Sequence, residues 1–419
     1  MFLKEHIKQI CVVGGGNAAQ VVGALLGQAR ENGSAVRCSI LAPFGDEAQR
    51  LTDSAKPNGG ITLENPDGSF TKGMPDIITN DPEKALKDTQ IVLLPLPLFA
   101  MPPMLKLIEP HLEPGTWVGA LPAQGGFQWI ANSILDTSPT GKGIKVFGFD
   151  KLPYNCRTVE YGKLVKVFGY KEDLALACIP HDTEIASRMA STISAVIPKL
   201  KMYTVPSFLV ITLATSNQCI HPARMYGLFA KEPTRDRVPL FYEEMDDYSA
   251  QLIGSVSDET LAIARGLEKT AKETGGELDL SGVLSIRDST MKVYEVEDSS
   301  SLAKVFATCT GFLGIRTPMK QSTTTDGKTI YEVDWNCRYF TEDIPALCVL
   351  RGLAQIAGVE VPTIDMLIRW AQKHFSEPYE FLKEDGKLNE DHQKLMYTPQ
   401  YWGISTAEEL LKFHGALRA

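Results

Sequence analysis

A doubly wound α/β domain followed by an all-helical domain is the architecture this sequence predicts. Three observations carry the prediction. The apolar run Ile10-Cys11-Val12-Val13 leads straight into Gly14-Gly15-Gly16-Asn17-Ala18-Ala19. Strand-like and helix-like segments alternate up to about residue 200. Beyond Val205 the apolar spacing becomes almost wholly helical. The change of character falls near Pro198-Lys199-Leu200-Lys201 and divides the chain into an α/β domain, 1–204, and a helical domain, 205–419.

The elements follow in order. Ile7–Val13 is apolar on both faces at its end, as suits a strand of a parallel sheet covered on both sides. Gln20–Arg30 carries Val21, Val22, Leu25 and Leu26 on one helical face and stops at Asn32-Gly33. Val36–Leu41 is the next strand, which completes a βαβ unit. Ile61–Leu63 and Ile77–Thr79 are short strand candidates. Asp81 caps a helix with Pro82 at its first position. Ile91–Leu94 and Trp117–Leu121 are buried strands, and Val146–Phe149 and Leu164–Gly169 extend the sheet. Helical spacing then marks Leu209–Gln218, Phe241–Glu268, Leu302–Thr310, Ile344–Ala357 and Ile364–His374, with a small hairpin around Asp326-Gly327.

Composition mostly excludes. The 419 residues exceed what one core usually supports, so two domains are expected. The net charge of −9 argues against nucleic acid and against a polybasic membrane surface. No long apolar stretch suggests a spanning helix, and the first residues lack the layout of a leader peptide. The eight cysteines form no Cys-x-x-Cys pair and the seven histidines no metal spacing, so we expect reduced thiols, no metal and a cytoplasmic protein.

The glycine run between strand and helix matches G-x-G-x-x-A, the pattern of a Rossmann dinucleotide site. Gly14 permits the turn, Gly16 lets the backbone approach a pyrophosphate, and Ala19 lets helix and strand pack closely. The helix N-terminus offers unpaired N–H groups to the phosphates. Gly14, Gly15, Gly16, Asn17 and Ala18 are therefore the cofactor-binding candidates. Leu96 and Pro97 close a later strand and are expected to wall the same crevice. The second strand ends Ser39-Ile40-Leu41-Ala42-Pro43-Phe44, without the acid that marks NAD or the base that marks NADP. Asp46, Glu47 and Arg50 come later, on the next helix. NAD is the expected cofactor, and NADP less so, because no basic cluster follows the strand.

Three segments carry polar residues in apolar settings. Gln124 ends a strand within Leu121-Pro122-Ala123-Gln124-Gly125-Gly126-Phe127 and is expected in the cofactor crevice. His221 stands in Ser216-Asn217-Gln218-Cys219-Ile220-His221-Pro222, where Pro222 should break the helix. Its imidazole suits proton transfer near neutrality, although a core histidine is the competing reading. In Arg338-Tyr339-Phe340-Thr341-Glu342-Asp343-Ile344-Pro345, Arg338 suits a substrate carboxylate and Asp343 suits an imidazole partner. Thr341 or Asp343 is equally compatible with capping the following helix, with Glu342 exposed.

Together with Leu152-Pro153-Tyr154-Asn155-Cys156-Arg157 and Pro399-Gln400-Tyr401-Trp402-Gly403, these motifs resemble the opine dehydrogenases, in the family's order and over nearly the whole chain. The resemblance is to the octopine, tauropine and alanopine dehydrogenase type of marine invertebrates. It implies NADH-dependent condensation of a 2-oxo acid, usually pyruvate, with the amino group of an amino acid. It implies His221 as acid/base, Asp343 as its partner, and Arg338 on the oxo-acid carboxylate with Gln124 assisting. It implies domains that close on their substrates, and a monomer. Asp150 and Cys156, at the Leu152-Pro153 motif, are further substrate-binding candidates. The chain departs from the family at Cys337, where asparagine is expected, and at the missing strand-end acid. The segment 285–301 holds no Trp and one Tyr, which favours a small donor such as alanine, glycine, β-alanine or taurine; Asp150 keeps arginine open. The alternative is a two-domain NAD(P)-dependent dehydrogenase, such as a ketopantoate reductase, reducing a small oxo acid without an amine.

Overall fold

The computed structural model describes residues 7–417 except 172, 180 and 378. The first six residues, on which the leader-peptide reading rests, lie outside the described residues. The chain folds as two compact units, one ending at Thr212 and the other starting at Leu213.

The first unit is built on an eight-stranded sheet. Its strands are Gln9–Val13 (β1), Arg37–Leu41 (β2), Ile77–Thr79 (β3), Ile91–Leu94 (β4), Trp117–Ala120 (β5), Lys145–Phe149 (β6), Leu174–Ile179 (β7) and Met202–Thr204 (β8). They lie in the order β8-β7-β6-β5-β4-β1-β2-β3. β1 to β6 are parallel, whereas β7 runs antiparallel to β6 and parallel to β8. The order reverses beside β1, so ligands are expected at the C-terminal ends of β1 and β4. β1 is buried along its whole length, as its apolar run requires.

Leu164–Tyr170 does not extend this sheet. It pairs with Tyr154–Glu160 and with Ile61–Glu64, which also pairs with Phe70–Gly73, to make a separate four-stranded sheet. Its burial alternates, unlike that of the central strands, so it belongs to a sheet with one covered face. The covered face rests on the helix Asn17–Glu31. That helix is buried from Ala18 to Gly27 because sheets lie on both sides of it. The approach is backbone to backbone. A Cβ on Gly27 would lie 2.5 Å from Met74 N, and one on Gly73 would lie 2.2 Å from Ala24 O.

The helix Phe208–Thr212 stays with the first unit, beyond the division expected after residue 204. All five of its residues are buried. Gln128 Nε2 donates to Thr212 Oγ1 at 2.7 Å. Its expected continuation to Gln218 is interrupted, and a new helix starts at Asn217 and runs through Pro222 to Phe229. Pro222 therefore lies inside a helix, and the break falls before His221, at 213–216.

The second unit packs Asn217–Phe229 against Asp247–Glu273 and Asp343–Ala357. It is not purely helical. Met319–Thr323 and Thr329–Val333 form the hairpin around Asp326-Gly327, and Thr234–Arg235 adds a third strand. Among the described residues no helix is long and apolar enough to cross a membrane.

The contact at Gly27 yields a test. Gly27→Val must push the Phe70–Gly73 strand off the helix, which should cost about 1–3 kcal/mol. A lowered thermal midpoint with unchanged helix content is expected; an unchanged midpoint would refute backbone contact here.

Candidate active site

The glycine loop connects β1 to the helix Asn17–Glu31. Gly14 has φ +98°, a conformation that side chains rarely adopt, and its N–H donates to Leu41 O at 2.7 Å. A Cβ on Gly14 would also lie 2.8 Å from Leu96 Cδ2, so Leu96 walls the turn. Pro97 follows it and precedes the short turn Leu98–Ala100. Gly16 is exposed, with open space where a Cβ would stand, and Ala18 is buried in the first turn. The Asn17 side chain faces elsewhere: its Oδ1 accepts from Thr158 N at 3.1 Å and Thr158 Oγ1 at 2.7 Å. Asn17 thus offers a phosphate only its backbone, while its side chain ties the second sheet to the loop. Gln20 does the same, donating to Gly15 O and accepting from Gly162 N.

Beside the loop, Glu47 Oε2 and Tyr161 Oη are both buried and form no well-aligned hydrogen bond among the described residues. Exposed glycine backbone, a helix N-terminus and unsatisfied polar atoms at a switch point fit a dinucleotide.

Gln124, Asp150 and Cys156 also lie in this unit. Gln124 Nε2 donates to Asp150 O at 3.1 Å, which joins the loops after β5 and β6. Both carboxylate oxygens of Asp150 are engaged: Oδ1 accepts from Ala175 N at 3.0 Å and Oδ2 faces Lys151 Nζ at 3.1 Å. Burial raises the Asp150 carboxyl, and Lys151 pulls it back. Lys171 is nearby, lowered to about 8 chiefly by burial and next by Lys151. Cys156 is buried in the hydrophobic core, and burial pushes its thiol up to about 11. Its side chain packs rather than faces a ligand, which departs from the expected substrate contact.

The second unit holds His221, the acid–base candidate. His221 is 2% exposed. Its Nδ1 lies 2.7 Å from Asp343 Oδ2 and its Nε2 lies 2.9 Å from Tyr242 Oη. A carboxylate can only accept, so Nδ1 carries a hydrogen toward Asp343 and the neutral ring's Nε2 accepts from Tyr242. Tyr339 stacks on the imidazole at 3.7 Å, and Phe241 meets it edge-on at 5.5 Å. Burial depresses the imidazole below its ordinary value; Asp343 opposes this, and Arg338 adds to it. The expectation that Asp343 raises His221 holds for that pair, but desolvation outweighs it.

Local sequence explains the placement. Asp343 opens the helix Asp343–Ala357, where Pro345 sits in the first turn and needs no N–H partner. Phe340 is buried against Trp335 and Trp370 and anchors the preceding turn. Arg224, one turn beyond His221, donates to Phe241 O and Glu244 O and pairs with Asp246. It thereby holds the segment that presents Tyr242. Arg338 is exposed and ion-pairs with no carboxylate among the described residues. Glu342 is partly buried, not exposed, and burial followed by Asp343 raises it to about 7.

The structure thus brings His221 and Asp343 into direct contact, with the Arg338 charge acting on the imidazole. Tyr242, Tyr339 and Arg224 were not singled out from sequence. Their only signal was the polar and aromatic content of Phe241-Tyr242, which reads equally as core. No group of three His, Cys, Asp or Glu placed to hold a metal occurs among the described residues.

A glycine loop that fits a dinucleotide on one unit and a buried His–Asp pair on the other are features that suit a nucleotide-dependent oxidoreductase. The comparisons narrow this. Residues 204–375 match the α-helical domain of NAD/NADP octopine/nopaline dehydrogenases. An opine dehydrogenase of Haliotis discus hannai is 32% identical over 96% of this chain and 98% of its own. A tauropine dehydrogenase of Arabella iricolor is 31% identical over 96% of this chain and 99% of its own. A solved octopine dehydrogenase structure with NADH and pyruvate has a TM-score of 0.77 at 27% identity, covering 98% of this chain and 99% of that one. The chain belongs to the opine dehydrogenase family, and is an NAD-dependent oxidoreductase.

The depressed imidazole makes a prediction with a definite sign. His221 titrates below about 6.5 when folded and near about 6.5 when unfolded. The folded state then binds fewer protons in that window, so stability is complete above about pH 6.5 and falls as pH falls through it. The wild type should lose more thermal stability than His221→Asn between about pH 6.5 and 5. Equal losses would show that His221 is not held neutral.

Proposed function

We propose that this chain condenses pyruvate with the amino group of a small amino acid and reduces the imine with NADH. The observation that carries the reading is the buried His221–Asp343 pair, 2.7 Å apart, whose Asp343 shares a motif with the exposed Arg338. The Arg338 guanidinium binds the carboxylate of the oxo acid in a two-pronged pair. The amine attacks the carbonyl carbon, and the resulting carbinolamine must lose hydroxide as water. His221, protonated on Nε2, supplies that proton. Tyr242, which can accept and donate at once, continues the path from Nε2. Asp343 balances the imidazolium and fixes which nitrogen carries the permanent hydrogen. When bound, NADH supplies the hydride that turns the imine carbon into a secondary amine.

The donor follows from charge. With Asp150 held by Ala175 N and already balanced by Lys151, its charge is less available to a guanidinium. This supports alanine, glycine, β-alanine or taurine over arginine.

An NADH-oxidation assay with pyruvate and a panel of amino acids tests the reading. The small donors should be turned over faster than arginine. Oxidation by pyruvate alone would favour a simple oxo-acid reductase, and preference for arginine would refute the donor argument. His221→Ala and Asp343→Asn should each cut turnover by at least ~10²-fold while NADH binding persists. Tyr242→Phe should fall between them and the wild type. Arg338→Ala should raise the KM for pyruvate; a change confined to the amino-acid KM would overturn its role.

A further inference from the structure

The strand-end position that usually discriminates NAD from NADP carries neither acid nor base here. The structure places an acid nearby from another direction. Glu47 is the first residue of the helix Glu47–Ala55, which follows β2. Its carboxyl reaches back to the glycine loop: a Cβ on Gly15 would lie 2.8 Å from Glu47 Cδ. The same Cβ would lie 2.7 Å from Tyr161 Oη, which arrives from the hairpin of the second sheet. Two polar side chains from two separate elements thus converge on one backbone amide. Glu47 Oε2 and Tyr161 Oη are each buried and form no well-aligned hydrogen bond among the described residues, although the Gly15 amide and Tyr161 lie close to the carboxyl. Burial raises the Glu47 carboxyl, while the Gly15 amide, Tyr161 and then Arg50 draw it back.

A buried oxygen pair without well-aligned hydrogen bonds is costly unless a ligand satisfies it. The adenosine ribose of a dinucleotide sits between the first glycine and the end of the second strand. It presents two adjacent hydroxyls, and a carboxylate can accept from both. A 2′-phosphate in the same place would bring like charges into contact. A cation also stands close. The Arg50 guanidinium lies 4.9 Å over the Tyr161 ring, and its Nε faces Asp46 Oδ1 at 2.8 Å, in a pair that is largely exposed.

We propose that Glu47 and Tyr161 form the subsite for the ribose 2′,3′-diol, and that Glu47 sets the preference for NADH over NADPH. The Glu47 charge outweighs Arg50, which would otherwise receive a 2′-phosphate. This rests on the chain being an NAD-dependent oxidoreductase, but not on the identity of its substrates.

The test is binding of NADH and of NADPH to the full chain, read by nicotinamide fluorescence without substrates. A charged hydrogen bond predicts that Glu47→Gln weakens NADH by about tenfold or more. NADPH should tighten in the same variant, and adding Arg50→Ala should cancel that gain. Tyr161→Phe, which removes one hydroxyl and no charge, should weaken both dinucleotides alike. It stands as an independent test if Glu47→Gln does not fold. Unchanged NADH affinity in Glu47→Gln, or in Tyr161→Phe, would overturn the subsite. An unchanged ratio between the dinucleotides would overturn the role in selection. Wild-type protein that binds NADH as described but fails to make an opine would overturn the proposed function and leave this subsite standing.

Discussion

Much of the second unit depends on keeping one imidazole buried. Moving a histidine out of water favours its neutral form, and leaving its nitrogens unpaired would cost further free energy. The fold meets both demands with a carboxylate on Nδ1 and a phenol on Nε2. That requires the helix carrying His221 and the helix opened by Asp343 to lie side by side. It also requires the segment around Tyr242 to be held, which Arg224 does from one turn along the same helix. Stability and the proposed acid–base chemistry therefore draw on the same few contacts.

The first unit has a comparable centre in the helix Asn17–Glu31. Its N-terminus supports the glycine loop, and its body is enclosed between two sheets. Glycines at 27 and 73 let a strand meet the helix backbone to backbone. Asn17 and Gln20 then tie the hairpin of the second sheet to the loop, which brings Tyr161 to Gly15. The glycine loop thereby acquires side chains that its own motif does not contain.

Local signals were readable where chemistry and spacing coincide. The β1 strand, the glycine turn, the cap at Asp81 and the hairpin at Asp326-Gly327 are where spacing places them. The failures share a cause. Leu164–Tyr170 has strand character, but nothing local says which sheet it joins. Leu209–Gln218 has helical spacing, but 213–216 interrupts it, and Pro222 is carried inside the next helix. Cys156 stood within a motif, yet its side chain is spent on the core.

The sequence by itself determined the class of fold and the glycine turn, and singled out His221, Arg338 and Asp343 as candidates, because each rests on residue type at short range or on a motif held in order. Only the tertiary structure decided that Tyr242 meets Nε2, that Asp150 is already paired, and that Glu47 and Tyr161 converge on Gly15. Apart from the Lys151 contact of Asp150, these depend on residues tens to more than a hundred positions apart. Their separation in sequence carries no signal of contact, whereas packing and the need to satisfy buried polar groups bring them together.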